Sequence, residues 1–162
     1  MSGELCGSVG NLFRGIHVLS LDSKGRLAVP AGYRAELEAH SQARLIATIS
    51  IDARCLWLYP WTCWQEVERQ LLALPSLNRR ARRLQRLLIG HAQEVTLDSQ
   101  GRILLGAPLR RYADLSKSVV MIGLGDKFEI WDEEGWEAQR NVWMEEERLE
   151  DLAPSELDLL RL

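Results

Sequence analysis

An internal repeat constrains the fold of this chain more than any other feature of its sequence. Residues 21–27 read Leu-Asp-Ser-Lys-Gly-Arg-Leu, and residues 97–103 read Leu-Asp-Ser-Gln-Gly-Arg-Ile, at an offset of 76 positions. The same offset relates Ala-Gly-Tyr-Arg at 31–34 to Ala-Pro-Leu-Arg at 107–110. The chain is therefore one unit written twice. Because a unit of roughly 45 residues is only marginally stable alone, we expect the two copies to share one hydrophobic core.

Each repeated heptapeptide predicts a strand, a tight turn and a second strand. Apolar residues precede and follow both copies, as in half-buried strands. An aspartate at the start of a turn accepts hydrogen bonds from backbone N–H groups two residues on, and a glycine supplies the positive φ that closes the turn. The predicted turn-forming residues are Asp22, Gly25, Asp98 and Gly101.

The two turns differ in the cations that they project. Copy one carries Lys24 and Arg26, whereas copy two carries Arg102 and has Gln100 in place of the lysine. The sequence therefore predicts two turns of the same shape and different charge.

The rest of each copy predicts a helix followed by two strands. Pro30 suits the first turn of the helix in copy one, and strands are predicted over 45–51 and 55–59. In copy two the closing strands are predicted over 119–124 and 128–131. The fold class predicted from these elements is α+β, with mostly β structure.

Two helices are predicted between the copies. Thr62 and Gln65 have the spacing of a capping box before the first helix, Pro75 ends it, and Ser76 is expected to cap the second. Both helices have narrow apolar stripes, which favour an antiparallel helical hairpin that connects the repeats.

The second of these helices is unusually basic. Its arginines are Arg79, Arg80, Arg82, Arg83 and Arg86. They could form a surface that contacts phosphates, or they could form a solvated or ion-paired face, with some of them meeting the acidic end of a neighbouring subunit. We favour the second interpretation, because a run of charge on a helix is more often a solvated face than a binding site.

The net charge of −3 hides a division along the chain. Residues 1–125 hold 16 Lys and Arg against 10 Asp and Glu, whereas residues 126–162 hold 4 against 13. A basic face for a polyanion is thus compatible with a negative total. From Glu145 onward the chain is acidic with scattered leucines, and most of it is predicted to fray unless it packs on a neighbouring subunit. Residues 1–11 are predicted to be a disordered extension, with Leu12 as a hypothetical native start.

The sequence offers little support for an enzyme. Asp22 and Asp98 are related by the repeat, but adjacent cations favour their ionised forms, unlike the shared proton of a catalytic carboxylate pair. His17, His40 and His91 show no spacing typical of metal ligands, and no phosphate-binding loop or nucleophile elbow is present. We therefore expect no catalysis, no metal and no cofactor. The apolar runs are too short to span a bilayer and no signal peptide is recognised, so the expected location is the cytoplasm.

The repeat carries a specific resemblance to a known family. Phe-Arg-Gly at 13–15, the heptapeptide at 21–27 followed by Val-Pro at 29–30, Gly-His-Ala at 90–92 and the second heptapeptide strongly resemble the MraZ family. In that family each copy is a domain of the SpoVT-AbrB type. The resemblance runs from about residue 12 to about residue 143, and two such heptapeptides at this spacing are far more specific than one.

This resemblance implies a fold and a division of the chain. The implied fold is a swapped-hairpin AbrB-like barrel, duplicated with a pseudo-two-fold axis within one chain. The expected division is a SpoVT-AbrB domain at 16–63, connecting helices at 64–91, a second domain at 92–135, and a C-terminal helix and acidic tail at 136–162.

The resemblance also implies a function. It indicates a transcriptional regulator, expected to be a repressor of its own promoter and of the division and cell wall gene cluster. Such a protein would be associated with the nucleoid and would bind short direct repeats in double-stranded DNA through the basic turns of a ring-shaped homo-oligomer. Lys24 and Arg26 are expected to make most of the contact, with Arg14 assisting and Arg102 contributing less. The alternative is an AbrB-type interaction module or antitoxin whose acidic tail binds a protein partner.

Overall fold

The computed structural model describes residues 13–149. The predicted disordered extension at 1–11 and the acidic tail from residue 150 onward lie outside the described residues.

The two copies fold into the same succession of elements, joined by a helical segment. Copy one consists of β1 (Phe13–Ser20), β2 (Arg26–Ala28), α1 (Ala31–Ser41), β3 (Arg44–Ile49), β4 (Leu56–Pro60) and α2 (Trp61–Leu72). The connecting helix α3 (Arg79–Leu84) continues into a π-helical turn (Gln85–Ile89). Copy two consists of β5 (Gln93–Thr96), β6 (Arg102–Leu104), α4 (Ala107–Tyr112), β7 (Ser118–Gly125), β8 (Phe128–Asp132) and α5 (Glu133–Leu149). The predicted α+β class is confirmed, and six of the eight strands lie in one antiparallel sheet.

The strand order is symmetric with respect to the two copies. One sheet has six strands in the order β1-β7-β8-β4-β3-β5, and β2 pairs with β6 in a separate ribbon. Strands β1 to β4 of copy one are equivalent to strands β5 to β8 of copy two. When each strand in this order is replaced by its equivalent, the same order results in reverse. The first strand of each copy pairs with the third strand of the other, β1 with β7 and β5 with β3. Each copy therefore completes its sheet with a strand from its partner copy.

The inner face of the large sheet carries the main core. Side chains alternate between the two faces of a strand. The side chains on the inner face of the sheet are buried against the β2–β6 ribbon and helices α1 and α4. Copy one contributes Leu27, Leu37 and Leu45 to this cluster, and copy two contributes Met121 and Phe128, all essentially inaccessible to solvent. The expected shared core is therefore present.

The outer face of the sheet is covered by α2, α3 and α5. Trp64 and Leu71 of α2 pack with Ile46 and Leu88 over the copy-one half. Over the copy-two half, Trp136 of α5 packs against buried outer-face residues such as Trp131. Helices α2, α3 and α5 thus lie on the outer face of the sheet, and the β2–β6 ribbon lies on the inner face with α1 and α4.

Both predicted helix caps between the copies are wrong. The capping box at Thr62 does not form, because α2 begins directly after β4 with Pro60 at its N-cap and Thr62 inside the first turn. Ser76 does not cap α3. Instead Asn78 is the N-cap, and its side-chain oxygen accepts a hydrogen bond from the Ala81 backbone N–H at 3.1 Å.

Candidate nucleic-acid interface

The turn between β1 and β2 is held by the carboxylate of Asp22. Its Oδ1 atom accepts hydrogen bonds from the backbone N–H groups of Lys24, at 2.9 Å, and Arg26, at 2.8 Å. Its Oδ2 atom accepts a third hydrogen bond from Arg26 Nε at 2.6 Å. The Gly25 N–H closes the turn on the Asp22 carbonyl at 3.0 Å. One aspartate therefore fixes both the backbone of the turn and the direction of the arginine side chain.

The second turn repeats this geometry. Asp98 Oδ1 accepts from the backbone N–H groups of Gln100 and Arg102 at 2.8 and 2.9 Å, and Oδ2 accepts from Arg102 Nε at 3.0 Å. Arg26 and Arg102 are thus positioned in the same way. Within residues 13–149 neither arginine has a further hydrogen-bond partner for its two terminal nitrogens. Each turn therefore presents the two terminal nitrogens of a guanidinium group.

Hydrogen bonding keeps both turn carboxyl groups ionised. The backbone N–H of Arg26, followed by its side chain, lowers the pKa of Asp22 to about 2. The backbone N–H of Arg102 is the largest cause of the lowered pKa of Asp98. Each carboxylate is satisfied within its own turn, which agrees with a structural role for both aspartates.

The two turns are held together by contacts between the copies. The carbonyl of Gly25 accepts a hydrogen bond from the Leu105 N–H, and the carbonyl of Gly101 accepts one from the Val29 N–H, both at 2.9 Å. These bonds extend the antiparallel β2–β6 pairing, in which Leu27 lies opposite Ile103. The turns are therefore fixed relative to one another by the ribbon that carries them.

Two arginines that sequence reasoning did not place in the site lie against the turn glycines. Arg110 Nε donates to the Leu105 carbonyl at 3.0 Å, and Arg34 Nε donates to the equivalent Val29 carbonyl. A Cβ atom on Gly101 would lie 2.3 Å from Arg34 Nε. Each turn thus receives an arginine from the helix of the other copy. The signal was present in the sequence, since both arginines belong to the repeat at the same offset.

The turn glycines are required for two reasons. Gly25 has a φ of +90° and Gly101 a φ of +73°, in the left-handed region that favours glycine. A Cβ atom on Gly25 would also lie 2.7 Å from the backbone oxygen of Leu105. Any side chain at this position would push the two copies apart.

The turn of copy one has more cations around it than the turn of copy two. The Leu21 N–H, next to the first turn, donates to the carbonyl of exposed Lys117 at 2.8 Å. The equivalent Leu97 N–H donates to the carbonyl of Ala43 at 2.9 Å. Turn one therefore has a lysine within its loop and another beside it, whereas turn two has Gln100 and Ala43 at the same places.

Arg14 is not brought to the turn of its own chain. It lies near the start of β1, opposite Leu124, whereas the turn follows the end of that strand at Ser20. Six residues of extended strand span about 20 Å. Its side chain is exposed, and its part in DNA binding stays a prediction.

The arginines of α3 and of the π-helical turn lie away from the basic turns, on the outer-face side of the sheet. Arg79, Arg80, Arg83 and Arg86 are exposed, and Arg82 donates to the Ser76 carbonyl at 2.9 Å. Among the described residues, none of the five forms an ion pair with a carboxylate. These cations do not share a surface with Lys24 and Arg26.

Fold and site together define a class of protein: an internally duplicated α+β chain whose copies interlock and present two aspartate-fixed basic turns. A family model described as "MraZ protein, putative antitoxin-like" matches residues 12–87 and again residues 88–155. The chain belongs to the MraZ family. In the part of the chain that the structure describes, no helix is long and apolar enough to cross a membrane.

Curated relatives support this assignment over most of the chain. It is 53% identical to the "Transcriptional regulator MraZ" of Methylococcus capsulatus over 146 residues, covering 88% of this chain and 95% of that protein. It is 51% identical to the protein of the same name from Halorhodospira halophila over 152 residues, covering 93% of this chain and all of that protein. The relative of that name from Legionella pneumophila strain Corby is 49% identical with the same coverage.

Proposed function

We propose that this protein is a DNA-binding transcriptional regulator that reads short direct repeats through its basic turns. Its targets are its own promoter and the division and cell wall gene cluster, where it represses transcription from the nucleoid in the cytoplasm. The names of the relatives support the regulatory class, and regulators of this kind are not enzymes. The exchange of strands between the copies supports a swapped-hairpin AbrB-like barrel, with the domain limits predicted above.

The observation that carries the proposal is the fixed direction of Arg26. Its Nε atom donates a hydrogen bond to Asp22 Oδ2 at 2.6 Å. The guanidinium group is therefore oriented before DNA binds. A fixed side chain loses less conformational freedom on binding, and the two terminal nitrogens match the two acceptors on the major-groove edge of guanine. Exposed Lys24 is suited to a phosphate beside it.

One turn alone would bind DNA weakly. Each neutralised phosphate contributes about −0.9 to the dependence of log affinity on log salt concentration, and turn one offers only a few cations. A ring of identical subunits would repeat the turn at a fixed spacing. Direct repeats of matching spacing would then gain avidity without a stronger single contact.

A second function is an AbrB-type interaction module or antitoxin that binds a protein partner through its acidic C-terminal end. Its support is the charge division of the chain, which extends into α5. Copurification of a small basic protein in constant proportion would favour this function over the first.

The test is fluorescence anisotropy on the DNA upstream of its own gene, measured over a series of salt concentrations. Arg26→Ala is expected to flatten the salt dependence and weaken binding, and Arg102→Ala to do so less. Arg69→Ala is the matched control, because it removes an exposed arginine from the outer-face helix α2. If the folded wild type binds this DNA no better than an unrelated duplex, the turn-based regulator is refuted.

A further inference from the structure

The start of α5 lies at the same edge of the sheet as turn one. Asp132, the last residue of β8, lies opposite Val119 in β7. One residue earlier in β7, Ser118 lies opposite Ser20 at the end of β1. Turn one follows Ser20, and α5 follows Asp132 directly. The helix on the outer face and the basic turn therefore meet at the loop that leads into β7.

The carboxylate of Asp132 joins this loop to the helix. Its Oδ1 atom accepts hydrogen bonds from the backbone N–H and the Oγ hydroxyl of Ser116, at 3.1 and 2.5 Å. Its Oδ2 atom accepts from the Gly135 N–H at 3.4 Å, which is the bond that an N-cap residue makes. The next residue, Glu133, accepts a hydrogen bond from the Ser118 hydroxyl. The hydrogen bonds of the two serines to the two carboxylates are here called the loop clamp.

Lys117 is the residue between the two clamped serines. Its carbonyl accepts a hydrogen bond at 2.8 Å from the N–H of Leu21, which directly precedes Asp22 of turn one. Its side chain is exposed, and within residues 13–149 it forms no ion pair. The backbone of Lys117 is thus held on both sides and bonded to the strand that enters the turn, while its ammonium group stays available to an anion.

The equivalent junction of copy one has different chemistry. Its helix α2 begins at Trp61, and Arg44 packs its guanidinium group on the Trp61 ring at 4.2 Å. The residue before Arg44 is Ala43, whose carbonyl accepts from Leu97 beside turn two. A cation–π contact therefore joins loop and helix where the loop carries an alanine, and carboxylates join them where the loop carries a lysine. The loop clamp is not a requirement of the repeated fold.

We propose that Asp132 and Glu133 are positioning residues for DNA binding, which hold Lys117 where its ammonium group contacts a backbone phosphate beside turn one. This inference rests on the proposed function and adds to it a contact outside the loop of the turn. Fixing the backbone of a flexible lysine reduces the conformational freedom that it loses on binding. Serine hydroxyls and the N-terminal end of α5 compensate the charge of the two carboxylates, so the clamp does not require Lys117 as its own ion-pair partner.

The two conceivable effects of these carboxylates on DNA binding have opposite signs. A negative charge near DNA repels phosphates, so its removal alone should tighten binding. If the carboxylates position Lys117, their removal should instead weaken binding through the loss of one phosphate contact, which is worth about 0.9 in salt slope. A change of about 0.9 alters the loss of affinity between roughly 50 and 200 mM salt about threefold. The direction of the change therefore separates positioning from simple repulsion.

The test is a double-mutant cycle, measured by anisotropy on a duplex with one site over a series of salt concentrations. Asp132→Ala and Lys117→Ala are each expected to lower the magnitude of the slope by about 0.9. Asp132→Ala in the Lys117→Ala background is expected to cause no further decrease, because the contact is already lost. Glu133→Ala is expected to act in the same direction as Asp132→Ala. Asp132→Asn keeps an oxygen acceptor for Ser116 and removes the charge, so it is expected to bind at least as tightly as the wild type.

Glu134→Ala is the matched control for charge. It removes an exposed carboxylate next to the clamp that forms no ion pair among the described residues, and it is expected not to weaken binding. A second variant, Ser116→Ala with Ser118→Ala, removes both hydroxyls and leaves the bond between Asp132 and the Gly135 N–H. It is expected to lower the slope as Asp132→Ala does, and it decides the outcome if Asp132→Ala does not fold.

The inference is refuted if the folded clamp variant binds DNA as tightly as the wild type or more tightly, or if the effects of Asp132→Ala and Lys117→Ala add. A failure of the proposed function is distinguishable from this result. If the wild type does not bind the duplex, both the proposed function and the inference fail. Binding that depends on Arg26 and not on Asp132 refutes the inference alone.

Discussion

The unequal charge of the two turns predicts that DNA-binding strength can be moved from one turn to the other. Lys24→Gln with Lys117→Ala would give turn one the composition that turn two has in the wild type. Gln100→Lys would give turn two the loop lysine of turn one. Lys117→Ala copies the alanine beside turn two, because the carbonyls of Lys117 and Ala43 accept equivalent hydrogen bonds from Leu21 and Leu97.

The size of the effect follows from counting the cations. The depleted variant, Lys24→Gln with Lys117→Ala, removes two lysines, and the enriched variant, Gln100→Lys, adds one. Each phosphate contact is worth about 0.9 in salt slope. The depleted variant should lose about 1.8 from the magnitude of its slope, and the enriched variant should gain up to about 0.9. Between roughly 50 and 200 mM salt, a change of 1.8 alters the loss of affinity about tenfold.

The assay is anisotropy on a duplex that holds a single site, so that avidity does not mask the slope. Arg69→Gln with Arg140→Ala changes the net charge as the depleted variant does, on helices of the outer face, and should leave the slope unchanged. Circular dichroism and thermal melting establish that all variants fold. A depleted variant that is folded and keeps the wild-type slope would refute a DNA contact through turn one.

Three further predictions concern stability and are checked by thermal denaturation. Gly25→Ala should lower the free energy of unfolding by about 3 kcal/mol through left-handed strain and overpacking. Gly125 has a φ of +81° and no neighbouring atom within 4 Å, so Gly125→Ala should lower it by only about 1 kcal/mol. Equal losses in the two variants would contradict the contact between the copies at Gly25. Folding lowers the pKa of Asp22 to about 2. The stability that its carboxylate gives to the folded state is therefore fully present above the ordinary pKa of an aspartate and is lost as the pH falls towards 2. The difference in melting temperature between the wild type and Asp22→Asn should therefore shrink as the pH is lowered over this range. A difference that stays constant would contradict a stabilising role for the ionised carboxylate. Phe128→Ala should cost about 3–5 kcal/mol, since its ring is fully buried, and a loss below 1 kcal/mol would show that the core closes around the gap.

Local chemistry made the turns predictable from the sequence. Asp22 and Gly25 act within a few residues of each other, and the repetition of the heptapeptide indicated that the same hydrogen bonds form twice. Helix α5 begins at Glu133, three residues before the predicted start at 136, and Glu133 and Glu134 suit the first turn of a helix.

Contacts between the copies could not be read from local patterns. The approach of Arg34 to Gly101 joins residues far apart in the chain. The shared offset marks Arg34 and Arg110 as equivalent residues, but it does not show which turn each of them contacts. Helix α2 begins earlier than its capping box predicted, because Pro60 ends a buried strand and turns the chain directly into the helix. In that place tertiary packing outweighed a local capping preference.

The exchange of strands between the copies has a consequence for synthesis on the ribosome. Strand β1 is made first, yet its partner β7 begins 98 residues after β1 ends, at Ser118 against Ser20. At about 5–20 residues per second, β1 waits on the order of 5–20 s for its hydrogen-bond partner. During that interval Ile16 and Val18 belong to an unpaired nascent strand, and the first copy cannot finish folding until most of the second has emerged. The emerging chain is therefore expected to depend on chaperones that hold exposed strands until translation is nearly complete.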